Sequence, residues 1–176
     1  MNHKPKIYFI TGVCGVGKSA VIPDLKLSFD KKDFDIHDFD ERGVPSGVNR
    51  EWRKKETEFW LNLGRLNLKN NISTIICGFS NPKEVIYNNI DNTRFILLDA
   101  EKETIKNRIA KRYKTKKSEQ ELKRVSACSV ESFIEDNADF SEILRIICQN
   151  DKRCDIIDTT DKSPKEVAKQ ITEIIK

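Results

Sequence analysis

The sequence predicts an α/β protein: a mainly parallel, five-stranded sheet with helices on both faces, three layers in all. Three observations lead there. Short runs of β-branched and aromatic residues recur along the 176 residues. Segments of helical periodicity separate those runs. Strands that alternate with helices pair in parallel, and the helices become the outer layers. The length suits a single domain, 1–176, with one full core and a small flap.

The first strand is expected over 6–11 (KIYFIT), ended by Gly12. A helix should follow from about Gly17. It should kink or carry an irregular turn at Pro23, because a proline past the first turn has no N–H to give the ladder. Residues 34–38 alternate and form the second strand. A helix over 50–69 brings Trp52, Phe59, Leu63 and Leu66 near one face. Phe59 is expected in the core, while Trp52 and Trp60 are open between core and site. Residues 73–78 are the third strand, and Ser80-Asn81-Pro82 reads as a helix start with proline at the first position. Residues 94–99 are the fourth strand, and a helix over 101–113 places Ile105 and Ile109 one turn apart. Ser118-x-x-Glu121 and Ser163-x-x-Glu166 have the form of capping boxes. Residues 154–158 are the fifth strand, and the last helix buries Val167, Ile171 and either Ile174 or Ile175. The stretch 111–139 is the most polar and least sheet-like, and is the expected helical lid.

Composition narrows the function. Charged residues make up 34% and hydrophobic ones 38%, the balance of a soluble globular protein. The net charge of +4 comes from 32 basic and 28 acidic residues mixed along the chain, which makes no strong case for nucleic acid or membrane. The densest basic run, Lys111 to Lys117, reads as a solvated helix end or as a flap over phosphates. The opening Met-Asn-His-Lys-Pro-Lys has no signal-peptide core. Five scattered cysteines without a Cys-x-x-Cys pair suggest neither a zinc site nor a disulfide framework. Cys77, Cys148 and Cys154 are expected as reduced core thiols and Cys14 as accessible. A cytoplasmic monomer or homodimer is expected.

Gly12-Val13-Cys14-Gly15-Val16-Gly17-Lys18-Ser19 matches G-x-x-x-x-G-K-[ST] in full, between a strand and a helix as the motif requires. Glycines let the backbone bend tightly and bring its N–H groups to phosphate oxygens, and the following helix start favours anions. Lys18 is expected to reach the β- and γ-phosphates and Ser19 to ligate Mg²⁺. Residues Gly12 to Ala20 are therefore expected to bind ATP.

The spacing G-x-x-G-x-G-K-S resembles that of the P-loop kinases of nucleosides, nucleotides and small metabolites, a group that includes shikimate kinase, adenylate kinase and chloramphenicol phosphotransferase. The resemblance implies a P-loop NTPase fold with strand order 2-3-1-4-5. It also implies transfer of the ATP γ-phosphate to a nucleoside, nucleotide or other small acceptor. Three further stretches carry it. Asp38-Phe39-Asp40, at the end of strand two, supplies the acidic residue that in this group orients the acceptor hydroxyl, takes its proton or holds Mg²⁺. A continuing strand would point both carboxylates to one face, and Asp38 is the second expected Mg²⁺ ligand. Arg108 and Arg112, four apart on one helix face, fall where the group places one arginine on adenine and another on the transferring phosphate. Asp158-Thr159-Thr160 resembles the group's adenine-side loop. One departure stands out: strand three ends Cys77-Gly78-Phe79, without the aspartate that many P-loop proteins use to support Mg²⁺. The segment from Asp40 to Arg53 should lie at the acceptor, where its Trp and Arg residues suit a flat or anionic molecule.

Rival readings remain. Asp40-x-x-Gly43 matches the D-x-x-G of GTPases, but it follows strand two, and no Asn-Lys-x-Asp for guanine accompanies it. A non-kinase ATP-binding protein (an ATPase or a nucleotide sensor) and a polynucleotide-end kinase are the alternatives.

Overall fold

A computed structural model describes residues 4–85 and 92–176. The expected N-terminal segment up to His3 lies outside the described residues. Five parallel strands form the sheet: β1 (Ile7–Thr11), β2 (Phe34–Asp38), β3 (Ser73–Cys77), β4 (Thr93–Asp99) and β5 (Cys154–Asp158). Their order is β2-β3-β1-β4-β5, so the sheet and its topology agree with the sequence expectation. Helices flank it: α1 (Ile22–Ser28), α2 (Arg50–Lys69), α3 (Pro82–Val85), α4 (Lys102–Arg112), α5 (Lys116–Ser126), α6 (Val130–Gln149) and α7 (Pro164–Ile175). The part of the expected helix beyond Val85 lies outside the described residues.

β1 is central, in register with β3 (Phe9 opposite Ile76) and with β4 (Phe9 opposite Phe95). Alternation divides its side chains between two cores. Tyr8 and Ile10 join Ile75, Ile96 and Leu98 on one face with residues of α1, α4 and α7. Ile7 and Phe9 join Ile76, Phe95, Trp60 and Leu61 on the other. Leu97 meets Leu144 and Cys148 of α6 in a third, smaller cluster. Burial of both faces explains the near-continuous apolar strands.

Several local expectations are corrected. Of the kink or irregular turn expected at Pro23, the structure has the turn, just before the proline. The chain makes a 3-10 turn at Ser19–Val21, and α1 starts afresh with Pro23 in its first turn, where the missing N–H has no ladder partner to lose. Ser118 is not the N-cap of α5. Thr115 is, in a reciprocal box with Ser118, and Glu121 pairs with Arg124 instead. The Ser163–Glu166 box caps α7 as expected, and Ile175 rather than Ile174 is buried. On α2, Leu66 is 56% and Phe59 39% exposed. The buried face instead carries Glu56, Trp60, Leu61, Gly64 and Asn67. Gly64 explains that rotation, since a Cβ there would lie 2.6 Å from Ile7 Cδ1, so the helix axis sits close against β1. Glu56 is tolerated because Arg42 pairs with it through one nitrogen at 3.1 and 3.2 Å. Cys77 and Cys148 are buried, while Cys14 and Cys154 are half-exposed.

Candidate active site

In a parallel sheet all carboxyl ends meet at one edge, where ligands of open α/β folds bind. Here that edge gathers the glycine loop after β1, the Asp38–Arg42 turn after β2, Gly78–Ser80 after β3 and Thr159–Thr160 after β5. Two cavities flank the glycine loop. One, of about 1070 Å³, is lined by Val13–Gly15, Gly17–Ala20, Asp38, Asp40, Arg108 and Arg112, and extends to α2, α5 and α6. The other, of about 220 Å³, lies between Gly15–Gly17, Arg108, Thr159, Lys162 and Pro164.

The loop's glycines serve two needs. Gly12 has φ +144°, and a Cβ there would lie 2.4 Å from Leu98 O, so only glycine lets the loop leave β1 this close to β4. Gly17 has φ +98° with open space beside it, so its requirement is conformational. Lys18 Nζ donates to Val13 O at 2.7 Å, folded back over its own loop. Burial lowers its pKa, and Arg112 adds to that, against the nearby Cys14, Asp40 and Asp38. Ser19 opens the 3-10 turn and is exposed to the large cavity. The Cys14 N–H is directed to Asn137 Oδ1 of α6 at 2.9 Å. Asn137 Nδ2 in turn donates to Phe133 O at 2.8 Å, which fixes the amide.

Strand β2 does not continue through Asp40. It ends at Asp38, and residues 39–42 turn because Phe39 drops into the core and its N–H bonds Cys77 O at 2.9 Å. The turn still puts both carboxylates on the large cavity, and Asp40 N donates to Asp38 Oδ1 at 2.9 Å. Glu41 braces this corner: Oε2 accepts from Asp38 N at 3.1 Å, and Oε1 lies 2.6 Å from His37 Nδ1. Protein packed around Asp40, and then the charge of Asp38, raise the Asp40 pKa. Gly78 stands where an acidic residue was missing from the sequence, and a Cβ there would lie 2.1 Å from Phe39 Cβ. The Asp38–Asp40 turn occupies the space that a side chain at position 78 would need.

Arg108 is a clamp. Its guanidinium donates to Thr159 Oγ1 (3.1 Å), Thr159 O (2.7 Å), Thr160 O (3.0 Å) and Gly15 O (3.4 Å). Buried Thr159 completes the tie by sharing its hydroxyl proton between Val16 O (3.2 Å) and Asp99 O (3.0 Å). Arg112 lies on the same face of α4, its guanidinium 3.7 Å from Cys14 Sγ. Asp158 spends its carboxylate on Thr160 N and Oγ1, at 2.9 and 2.6 Å, so it shapes the loop and lines neither cavity.

The sequence reading missed two contributors, Asn137 and the α5 roof. Asn137 sits 123 residues from its partner in the middle of a helix, where no local signal marks it. Arg53 lines the cavity over the Phe79 ring at 4.7 Å, its pKa lowered by burial and supported by Asp40. The sequence had placed it among the acceptor-side arginines of segment 40–53. The α5 roof, Leu122 and Val125, lay in the expected lid with no role attached.

The donor set suits Mg²⁺. Ser19, Asp38 and Asp40 present hard oxygens to one cavity, and among the described residues no cluster of three acidic, His or Cys side chains forms a protein cage. Mg²⁺ is ordinarily held by one or two protein oxygens together with phosphates and water. Among the described residues no helix is long and apolar enough to cross a membrane.

No protein-family model matches the sequence, and no curated protein does. Solved structures do match. A shikimate kinase from Acinetobacter baumannii superposes with TM-score 0.62 at 15% identity, covering 98% of this chain and 94% of that one. A thymidylate kinase from Candida albicans gives 0.55 at 15%, covering 98% and 91%. A chain of an RNA repair complex gives 0.59 at 17%, covering 86% of this chain and 48% of that one. The fold is the three-layer α/β/α arrangement of the P-loop kinases.

Proposed function

We propose that the protein is an ATP-dependent phosphotransferase that moves the γ-phosphate of ATP to a small acceptor: a nucleoside, a nucleotide or another hydroxyl or phosphate compound. The observation that carries this reading is one cavity that holds both a complete phosphate loop and a carboxylate pair. Val13–Gly15 and Gly17–Ala20, with Lys18, form one wall, and Asp38 and Asp40 line the same cavity. The adenine and ribose fit the smaller cavity behind the loop, between Arg108 and Thr159. The triphosphate lies along the loop, and the acceptor enters the remaining large cavity.

Each residue then has a task. Lys18 leaves the Val13 carbonyl for the β- and γ-phosphates, and its lowered pKa reflects a charge held with little solvent. Ser19 and Asp38 would hold Mg²⁺, which supplies charge neutralisation at the phosphates. Asp38 or Asp40 receives the acceptor's hydroxyl proton as the acceptor oxygen bonds the γ-phosphorus and the bond to the β–γ bridging oxygen breaks, releasing ADP. Asp40, with its raised pKa, is the better placed to accept a proton. Arg112, beside the loop tip, balances charge on the transferring group. The roof formed by α5 and the start of α6 keeps water from competing with the acceptor.

The test is ADP release from Mg-ATP across a panel of nucleosides, nucleotides, sugars and short oligonucleotides, with Lys18→Ala beside it. Acceptor-dependent release by wild type is expected, reduced about a hundredfold or more in the variant. Equal turnover by a folded Lys18→Ala protein would refute the assignment. The second reading, an ATPase or nucleotide sensor, draws on Gly78 at the end of β3, where a metal-supporting carboxylate is missing. ADP release that no acceptor stimulates favours it. Salt-dependent binding of the oligonucleotides favours a polynucleotide-end kinase.

A further inference from the structure

The acceptor half of the large cavity has a chemistry of its own, read most directly from where the positive charges go. Among the described residues that line the cavity, the cations are Lys18, Arg53, Arg108 and Arg112. Three of them belong to the nucleotide half: Lys18 lies on the loop, Arg108 is spent on four acceptors there, and Arg112 is beside Cys14. Beyond the carboxylates only Arg53 remains. It stacks on Phe79, and Asp40 and Glu84 are its acidic neighbours.

The other arginines nearby are committed elsewhere. Arg42 pairs with Glu56 and lies 3.6 Å from the centre of the Phe59 ring. Arg124 binds Glu121, Ser46 Oγ and the Val44 carbonyl. Arg50 is 87% exposed and lies 3.5 Å from Glu84. A phosphate or carboxylate withdrawn from water needs several charge-assisted donors, usually a bidentate arginine, to offset its lost hydration. This half of the cavity offers one guanidinium already balanced by carboxylates, beside Asp38 and Asp40 themselves.

Its walls are mainly apolar, and the further charged side chains on α5 and α6, Glu121 and Asp136, are acidic rather than cationic. Trp52 comes from α2, Phe79 follows β3, Leu122 and Val125 come from α5, and Phe133 and Phe140 from α6. Phe79 and Phe140 meet with centroids 5.7 Å apart, and Phe133 meets Tyr113 edge-on at 5.8 Å. The roof is tied down over this space: Gly47 N donates to Arg124 O at 3.0 Å and Val48 N to Val125 O at 2.8 Å. Flat rings packed on aromatic walls gain both buried area and ring–ring attraction.

We propose that this space binds an uncharged alcohol with a flat, apolar ring, its hydroxyl presented to Asp38 and Asp40, and that it discriminates against phosphate- and carboxylate-bearing acceptors. The proposal rests on the phosphotransferase reading. It narrows that reading's acceptors to unphosphorylated ones.

The experiment uses the full chain and matched pairs: 3-phenylpropanol with 3-phenylpropyl phosphate, and 2-phenylethanol with 2-phenylethyl phosphate. Binding is followed by displacement of the neutral naphthalene dye prodan, and transfer by ADP release from Mg-ATP. In each pair the alcohol is expected to displace the dye and stimulate release at a concentration at least about tenfold lower than its phosphate ester, a difference worth ~1.4 kcal/mol. Val125→Glu, at a half-buried roof position, and Trp52→Ala, which adds no charge, should each weaken alcohol binding about tenfold. Stabilisation by Mg-ATP should persist in both. Tighter binding of the esters, lost in Arg53→Ala, would overturn the proposal, and so would failure of either alcohol to displace the dye. Preference for the alcohols without ADP release would refute the phosphotransferase reading while upholding the ligand class.

Discussion

Arg108→Ala tests the architecture of the site most directly. The side chain joins three segments that are far apart in sequence: α4, the glycine loop and the turn after β5. Three of its contacts lie between 2.7 and 3.1 Å. A hydrogen bond from a charged donor contributes about 1.5–3 kcal/mol when desolvated. Arg108 is half-buried, so water takes over part of each contact, and a net loss of about 2 kcal/mol is expected. For a chain of this length that lowers Tm by about 4–8 °C in a calorimetric scan. The same substitution removes a wall of the small cavity and frees Gly15, so the Kd for Mg-ATP should rise about tenfold, measured by isothermal titration. Arg108→Lys should recover only part of both losses, because an ammonium cannot span carbonyls of separate segments as a planar fork does. An Arg108→Ala protein with Tm within about 1 °C of wild type and unchanged Mg-ATP affinity would refute the clamp.

Other expectations follow from the same geometry. Asp40→Asn should cut turnover yet stabilise the fold near neutral pH. The folded Asp40 pKa is raised, so the native state holds its proton more tightly than the unfolded chain, and stability falls as pH rises through that window. The gain should vanish below about pH 4 in chemical denaturation series, and a destabilised Asp40→Asn protein at pH 7 would contradict it. Asp38→Asn removes the like charge beside Asp40, so the acid limb of the rate–pH profile should move to lower pH; a limb that stays put would show that Asp40 does not set it. Gly78→Ala forces a Cβ to within 2.1 Å of Phe39 Cβ, with rigid backbone on both sides. It should cost about 1–3 kcal/mol and slow transfer by displacing the Asp38–Asp40 turn. Normal stability and turnover in Gly78→Ala would show that the turn yields freely.

The glycine loop, all five strands and helices α2, α4 and α7 were legible because their signals are local, whereas α6 was not read as a helix. Glycine spacing, apolar alternation and the Ser163–Glu166 box each sit within one turn or one strand of the residue they govern. The errors have mainly tertiary causes. The α2 face was assigned from its large apolar residues, but the close approach of Gly64 to Ile7 turned Phe59 and Leu66 outward. The N-cap of α5 was placed at Ser118 because glutamate three residues on mimics a box, whereas Thr115 and Ser118 form the reciprocal pair. Strand β2 ends at Asp38 as read, and the conditional continuation to Asp40 is not taken because Phe39 is buried in the core.

The sequence by itself determined that the chain carries a G-x-x-x-x-G-K-S loop between a buried strand and a helical segment, with two carboxylates after the second strand. Those features need only neighbours along the chain. Tertiary structure decided what the loop faces. Strand order brings α4, α6 and the turn after β5 to the same edge, and only there do Arg108, Thr159 and Asn137 meet residues 51 to 143 positions away. It also decided which arginines stay available, because each guanidinium is spent on whichever carboxylate or carbonyl the fold delivers to it, and no spacing in the sequence records that partner.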